Sequence, residues 1–262
     1  MMDMEKKKRT KVQIIIYWVL PALAVLLILG SWLWFSTKNP DLMPNPKQVF
    51  DRFIRTFTRP IAKVTLVGHT LESMKRVLIA LVASWIFGIG LGIAFGWNRA
   101  SKAIIGTLFE IIRPIPPIAW IPIVILWFGI GEFPRVLIIF IGTFVPVVIN
   151  TAAGIALVDK INIDVGRIFG GSRNQILRQI VIPTALPSIF AGIRTSVSSG
   201  WTTMLAAEMI AAQVGLGSLV MRGWQGYDMA LVMVAVITIA LIGAFLAFAL
   251  NLLEKVVCPW TK

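Results

Sequence analysis

The sequence predicts an all-α membrane protein. It is a single membrane domain over residues 1–262, with six transmembrane helices and a short amphipathic helix on the outer side. Three observations predict it. Hydrophobic residues make up 57% of the chain and charged ones only 14%, against about 45–50% and about 25% in an ordinary soluble domain. Six stretches reach the roughly 20 apolar residues that a helix needs to cross the hydrocarbon core. The basic surplus, 25 Lys and Arg against 12 Asp and Glu for a net charge of +13, flanks these runs. In a nucleic-acid binder it would form a stripe on one polar face, so no nucleic-acid partner is expected. The same numbers exclude a soluble enzyme.

The spans are read at Ile14–Phe35, Val77–Gly96, Ala103–Phe128, Val136–Leu157, Ile189–Ala212 and Ala230–Leu253. The first follows a basic run, Lys6–Arg9, as a secretory signal would. It is longer than a signal's about 7–15 apolar residues and ends in Trp32, Trp34 and Phe35, an interfacial aromatic belt, so it is read as an uncleaved span. With the N-terminus cytoplasmic, thirteen basic residues fall inside and ten outside. Lys6–Lys11 lie directly against the first span, where charge sets orientation. The second, fourth and sixth spans contain no Asp, Glu, Lys or Arg, whereas the third holds Glu110 and Arg113 and the fifth holds Arg194 and Glu208. The long outer segment between the first two spans carries Val49, Phe50, Phe53, Ile54 and Phe57 at helical spacing after a Pro44–Pro46 breaker. This is the pattern of a helix lying on the membrane surface or packed on the ends of the spans.

Several groups of residues stand out. Ser84, Gly88, Gly92 and Gly96 recur every fourth position of the second span, which lets another helix backbone approach closely. In the third span, Pro114, Pro116, Pro117 and Pro122 remove four backbone donors within nine positions. An uninterrupted helix does not tolerate this, and irregular backbone at membrane depth survives only inside protein or along a cavity. Glu110, Arg113, Pro116, Pro117 and Trp120 are therefore candidates for a transport path. The fifth span is dense in hydroxyls (Ser196, Ser198, Ser199, Thr202, Thr203), and Glu208 lies seven residues after Trp201, on the same helix face. An ionisable group in a span is a functional candidate, so Ser199, Trp201 and Glu208 join the path. A structural partner for Glu208 is the competing reading.

One cysteine, Cys258, forbids an intrachain disulfide or thiolate cluster, and one histidine, His69, leaves too few ligands for zinc; no metal site is expected. No GxxxxGK[ST] phosphate loop occurs, so no cofactor is expected on this chain and any ATP must be bound by another subunit.

Between the fourth and fifth spans lies a polar, basic segment at 158–188. Its stretch DVGRIFGGSRNQILRQIVIP, Asp164–Pro183, resembles the EAA loop of type I ABC-importer permeases. Asp164, Val165 and Gly166 stand at the EAA triplet, Gly170 at the glycine, Ile180 at the isoleucine, Ile182 at the leucine and Pro183 at the proline. RPIPPIAWIPIVILWFGIG at Arg113–Gly131 and LAAEMIAAQVGLG at Leu205–Gly217 are similar to the branch that imports nitrate, taurine and aliphatic sulfonates.

The resemblance implies a permease subunit with the type I fold, in the bacterial inner membrane. Two permeases, two copies of this chain, would pair with two ABC ATPase subunits that carry ATP and Mg. An external solute-binding protein would deliver a small anion. A coupling helix around Asp164, Gly166, Gly170, Ser172, Arg173, Asn174, Ile180 and Pro183 would dock in the ATPase. Two other readings compete: a proton-coupled secondary transporter that titrates Glu208, and a membrane anchor with no transport role.

Overall fold

The computed structural model describes residues 11–40 and 42–257. Lys6–Arg9, Cys258 and Lys262 lie outside the described residues. Helix α1 runs Lys11–Lys38, α2 Pro46–Thr58 and α3 Leu66–Trp97. A bent pair follows, α4 at Arg99–Ile112 and α5 at Pro117–Phe128, then α6 at Glu132–Ala156. Helix α7 spans Lys160–Ile168, α8 Arg173–Ile210, α9 Leu216–Gln225 and α10 Met229–Val257. Among the described residues, five helices (α1, α3, α6, α8 and α10) are each long and apolar enough to cross a membrane.

The third expected span, Ala103–Phe128, is made of two helices that meet at 87°; taken as one broken span, the pair brings the candidate crossings among the described residues to six. The prolines cause the break. Pro114 and Pro116 interrupt the ladder after Ile112, and Pro117 restarts a helix at a position whose N–H has no partner to lose. Within the 158–188 segment, the chain from Arg173 onward forms the first turns of α8. A π turn at Leu177–Val181 opens the helix just before Pro183, where a regular turn would put the ring against a carbonyl. The second span begins eleven positions earlier than its apolar run, at Leu66. Thr65 caps it, its Oγ1 accepting the Gly68 N–H at 3.3 Å.

The core is the α3–α6–α8 sandwich. A Cβ on Gly88 would stand 2.9 Å from Val147, one on Gly92 2.5 Å from Thr151 and one on Gly96 2.5 Å from Ile155, while Ser84 hydrogen-bonds Thr143. The pairs advance together along both chains, so α3 and α6 run parallel with no space between their backbones. On the other flank of α6 the order reverses. Gly154 meets Ser188, Gly192 meets Asn150 and Gly200 meets Thr143, an antiparallel packing. Thr143, fully buried, lies between both seams.

Pro146 interrupts α6 and frees the Gly142 carbonyl four positions earlier. Ser199 on α8 donates its hydroxyl to that carbonyl at 2.8 Å. Trp85 of α3 donates to Ser196 Oγ at 3.0 Å, and Trp201 of α8 to the Ile239 carbonyl of α10 at 3.0 Å. These bonds fix rotation as well as distance between helices, which apolar packing in lipid does not do.

Helix α1 stands at the edge, its apolar window 6% buried. Asn45 and Gln48 form a capping box at the start of α2. Val49 of α2 is buried and Phe53 packs on the core, while Phe50, Ile54 and Phe57 remain exposed. Arg52 ties α2 to the α9–α10 turn through Asp228 at 2.7 Å. The expected surface helix is thus packed on the ends of α3 and α10 and keeps an apolar stripe outward.

Candidate functional site

At the end of the bundle opposite α2, helix α7 and the start of α8 form an elbow. Asp159 caps α7, its Oδ1 accepting the Ile161 N–H at 2.9 Å. Gly170 ends it in the left-handed region, φ +75°. The Gly171 N–H reaches the Gly166 carbonyl at 3.0 Å and the Gly170 N–H the Arg167 carbonyl at 2.9 Å, the paired bonds of a glycine-terminated helix. Nothing lies within 4 Å of a Cβ at Gly170, so that glycine serves the turn. The close approach is at Gly166, where a Cβ would stand 2.6 Å from Ile180 and 3.3 Å from Ile176.

Ser172 then caps α8. Its Oγ accepts the Gln175 N–H at 3.3 Å, and Gln175 Oε1 accepts the Ser172 N–H at 2.8 Å. Arg173 lies over the Trp97 ring at 5.6 Å, tying the elbow to the end of α3. Asp164 pairs with Arg167 at 3.0 Å on the surface, and Asn174 is exposed on the first turn of α8. Ile161, Val165, Ile168 and Phe169 share one face of α7 and are exposed, Phe169 at 85%. The elbow is a firmly capped lever with an uncovered apolar face, continuous with a 38-residue helix through the bundle.

Near the α2 end, a buried polar network gathers residues from α3, α6, α8, the 212–215 loop and the start of α9. Glu208 is 0% exposed. It accepts Arg76 Nη1 at 2.6 Å, the Ser73 hydroxyl at 2.8 Å and the Gly217 N–H at 3.0 Å. Arg76 also donates Nε and Nη2 to Glu132 at 2.6 and 2.9 Å and Nη1 to the Val214 carbonyl at 2.7 Å. Arg135 closes on Glu132 at 2.5 Å. Ser73 Oγ accepts the Leu216 N–H at 2.9 Å. The His69 ring accepts the Gly215 N–H at 3.0 Å on Nδ1 and donates Nε2–H to the Ile61 carbonyl at 3.1 Å.

Two guanidinium and two carboxylate charges balance there, so each is compensated at close range. Gly215, at φ +141°, and Gly217 let the backbone wrap the carboxylate: a Cβ on Gly217 would stand 2.7 Å from Glu208 Cβ. The Gly-Leu-Gly of the sequence is thus a cradle for Glu208. Its partner Arg76 falls in the long outer segment by sequence, Ser73 carries no signal there, and His69 stands out only as the one histidine. The missed signal was spacing, since residues 69, 73 and 76 fall on one helix face. Both Glu208 oxygens are engaged by donors and the carboxylate is not exposed.

The other path candidates separate into two groups. Glu110 and Arg113 form an exposed pair at 3.0 Å on α4, and Pro116 and Pro117 make the bend. The Pro117 ring is 3.2 Å from where a Gly142 Cβ would lie. Trp120 lines an apolar groove of about 300 Å³ between α4 and α6; its buried Nε1 makes no hydrogen bond among the described residues. Ser199 and Trp201, in contrast, are turned into the bundle as packing contacts. The outward face of α8 instead carries Arg194, Thr195, Ser198 and Thr202, all exposed.

Residues 84–262 match the family described as binding-protein-dependent transport system inner membrane component. The chain is 35% identical to the taurine transport system permease of Escherichia coli over 85% of its own length and 81% of that protein's. It is 29% identical to the nitrate import permease of Synechocystis over 91% and 89%. Among solved structures it resembles an inward-facing form of the MetNI methionine ABC transporter. The TM-score is 0.64 and the identity 18%, covering 73% of this chain and 95% of that one, a likeness of fold.

Proposed function

We propose, given that the chain belongs to the family of binding-protein-dependent transport system inner membrane components, that two copies of it form the membrane pathway of an ATP-driven importer for a small anion such as taurine, a sulfonate or nitrate. ATP and Mg sit on two separate ABC ATPase subunits, and an external solute-binding protein hands over the substrate. The N-terminus and the α7 elbow face the cytoplasm, and α2 and α9 the outside, of a bacterial inner membrane. The names of the relatives support the anion class. Identification of Glu208 as the proton relay of a secondary transporter is set aside, because the family works with an external binding protein and the carboxylate is enclosed. A plain membrane anchor is set aside on the same family ground.

The observation that carries the mechanism is the elbow. The exposed face of Ile161, Val165, Ile168 and Phe169 offers an apolar surface to an ATPase groove. Gly170, Ser172 and Gln175 hold α7 rigidly to α8, and the Arg173–Trp97 contact holds it to α3. A helix of 38 residues is about 57 Å long, so a shift at α7 reaches through the membrane. Closing and opening of the ATPases would each favour one orientation of the bundle, a two-state equilibrium biased by differential contacts.

Gly170→Val tests this lever. A β-branched residue in the left-handed region costs about 1–3 kcal/mol, which the turn escapes by abandoning that geometry. In proteoliposomes containing the assembled complex, uptake of labelled taurine or nitrate should fall at least tenfold while ATP hydrolysis and membrane insertion persist. Uptake per ATP equal to that of the unmodified chain would contradict the coupling role.

A further inference from the structure

We propose that the cleft between α8 and α10 around Arg194 is a binding station for a small oxyanion with a short apolar tail. This rests on the importer reading above and deepens it by naming where the anion is held inside the membrane. The cleft encloses about 270 Å³. Arg194, Ser198 and Thr202 line one side, four positions apart and therefore on one face of α8. Leu246, Ala247 and Leu250 of α10 line the other. The Ser198 hydroxyl makes no hydrogen bond among the described residues, whereas Thr202 donates to the Ser198 carbonyl at 3.1 Å.

Trp201 offers the cleft only its ring, because its N–H is spent on the Ile239 carbonyl. Gly243 makes room for the indole, since a Cβ there would be 3.0 Å from Nε1. One wall is thus cationic and hydroxylic and the other apolar, the complement of an alkanesulfonate. An arginine and hydroxyls on a lipid-facing surface are costly, which assigns this face to an aqueous path. Arg194 pairs with Glu254 of α10, and the pair is partly exposed, with side chains 46% and 25% accessible. Pairs of this kind are weak, so Glu254 acts as a counter-ion that an arriving anion displaces and that returns as the anion leaves.

The test is charge-selective thiol labelling of the full complex in phosphatidylcholine nanodiscs, where no anionic headgroup competes. The sole cysteine is replaced (Cys258→Ser) and Ser198→Cys is introduced. An anionic methanethiosulfonate should react about tenfold faster than its cationic analogue, and methanesulfonate should slow it. The preference should reverse in Arg194→Gln, which leaves Glu254 unpaired, and increase in Glu254→Gln. If Arg194→Gln does not assemble, Arg194→Gln with Glu254→Gln removes the pair together and should give equal rates.

Equal rates with Arg194 present, or no protection by methanesulfonate, would overturn the station. ATP-driven uptake of nitrate, taurine and methanesulfonate is measured separately, on the complex that keeps Ser198, reconstituted in sealed phosphatidylcholine proteoliposomes. Uptake with a flat labelling ratio overturns the station alone. No uptake of any of the three with the charge preference intact overturns the anion-importer reading and leaves the station standing.

Discussion

Replacing Arg76 with leucine is expected to destabilise the protein by about 3–5 kcal/mol, the cost of leaving a buried charge without its partner. That change strands Glu208, which is fully enclosed, and takes two bonds from Glu132, which keeps Arg135 as its partner. The Val214 carbonyl loses its donor as well, which loosens the 212–215 loop while His69 and Ser73 of α3 still hold Gly215 and Leu216. The measurement is the thermal midpoint of the detergent-solubilised chain by size-exclusion fluorescence, alongside uptake per folded molecule. Glu208→Gln should be milder, since the amide still accepts from Ser73 and Gly217. The double variant should cost less than the two singles together, a coupling of about 0.5–3 kcal/mol. An unchanged midpoint for Arg76→Leu would show that the network does not hold the loop.

Gly92→Leu is expected to be nearly as damaging, through sterics alone. A Cβ at this position already lies 2.5 Å from Thr151 Cβ and 2.9 Å from the Val148 carbonyl. The second of these is backbone and cannot rotate away, so α3 and α6 must separate along their whole seam. Overpacking of this kind costs about 1–3 kcal/mol in soluble cores and occasionally more. Separation would also break the Ser84–Thr143 bond and open the α8 flank, where Gly200 meets Thr143. Gly90→Leu is the control, because nothing lies within 4 Å of its Cβ position. Folded yield in the membrane should drop severalfold for position 92 and stay level for position 90. Equal yields would mean that the two helices do not pack through this face.

The helical class and the six apolar stretches were legible because hydrocarbon imposes length and composition directly on sequence. The four-residue stripe from Ser84 to Gly96 was legible for a similar reason: close backbone approach leaves no option but small side chains. Two features were hidden by the same rule. Reading a span as ending where charges begin cut off the start of α3, because Arg76 is compensated by residues distant in sequence, 56 and 132 positions away. No local pattern reveals such a pairing.

The hydroxyls of α8 were visible as a composition but not as a face. Ser199 answers the carbonyl freed by Pro146 and Trp201 answers Ile239, whereas Ser198 and Thr202 point outward. That division needs the rotation of α8 against α6, which is set by contacts and not by the run itself. The proline cluster announced irregular backbone, and only the three-dimensional arrangement turned it into an 87° bend. In the elbow, Gly170 was legible as the glycine of the EAA-like spacing, and the structure makes it the turn. The close packing at Gly166 against Ile180 joins positions that the spacing alone left unconnected.

The most direct test of the account is to tag the chain, purify it gently from its native membrane and determine what accompanies it, in parallel with a variant carrying Ile168→Ser and Phe169→Ser. Both side chains are exposed, at 82% and 85%, so the variant should fold normally. An ABC ATPase retained by the unmodified chain and lost by the variant is the predicted result. The unmodified chain recovered alone and still transporting without ATP, or an ATPase that stays bound to the variant as tightly as to the parent, would contradict it.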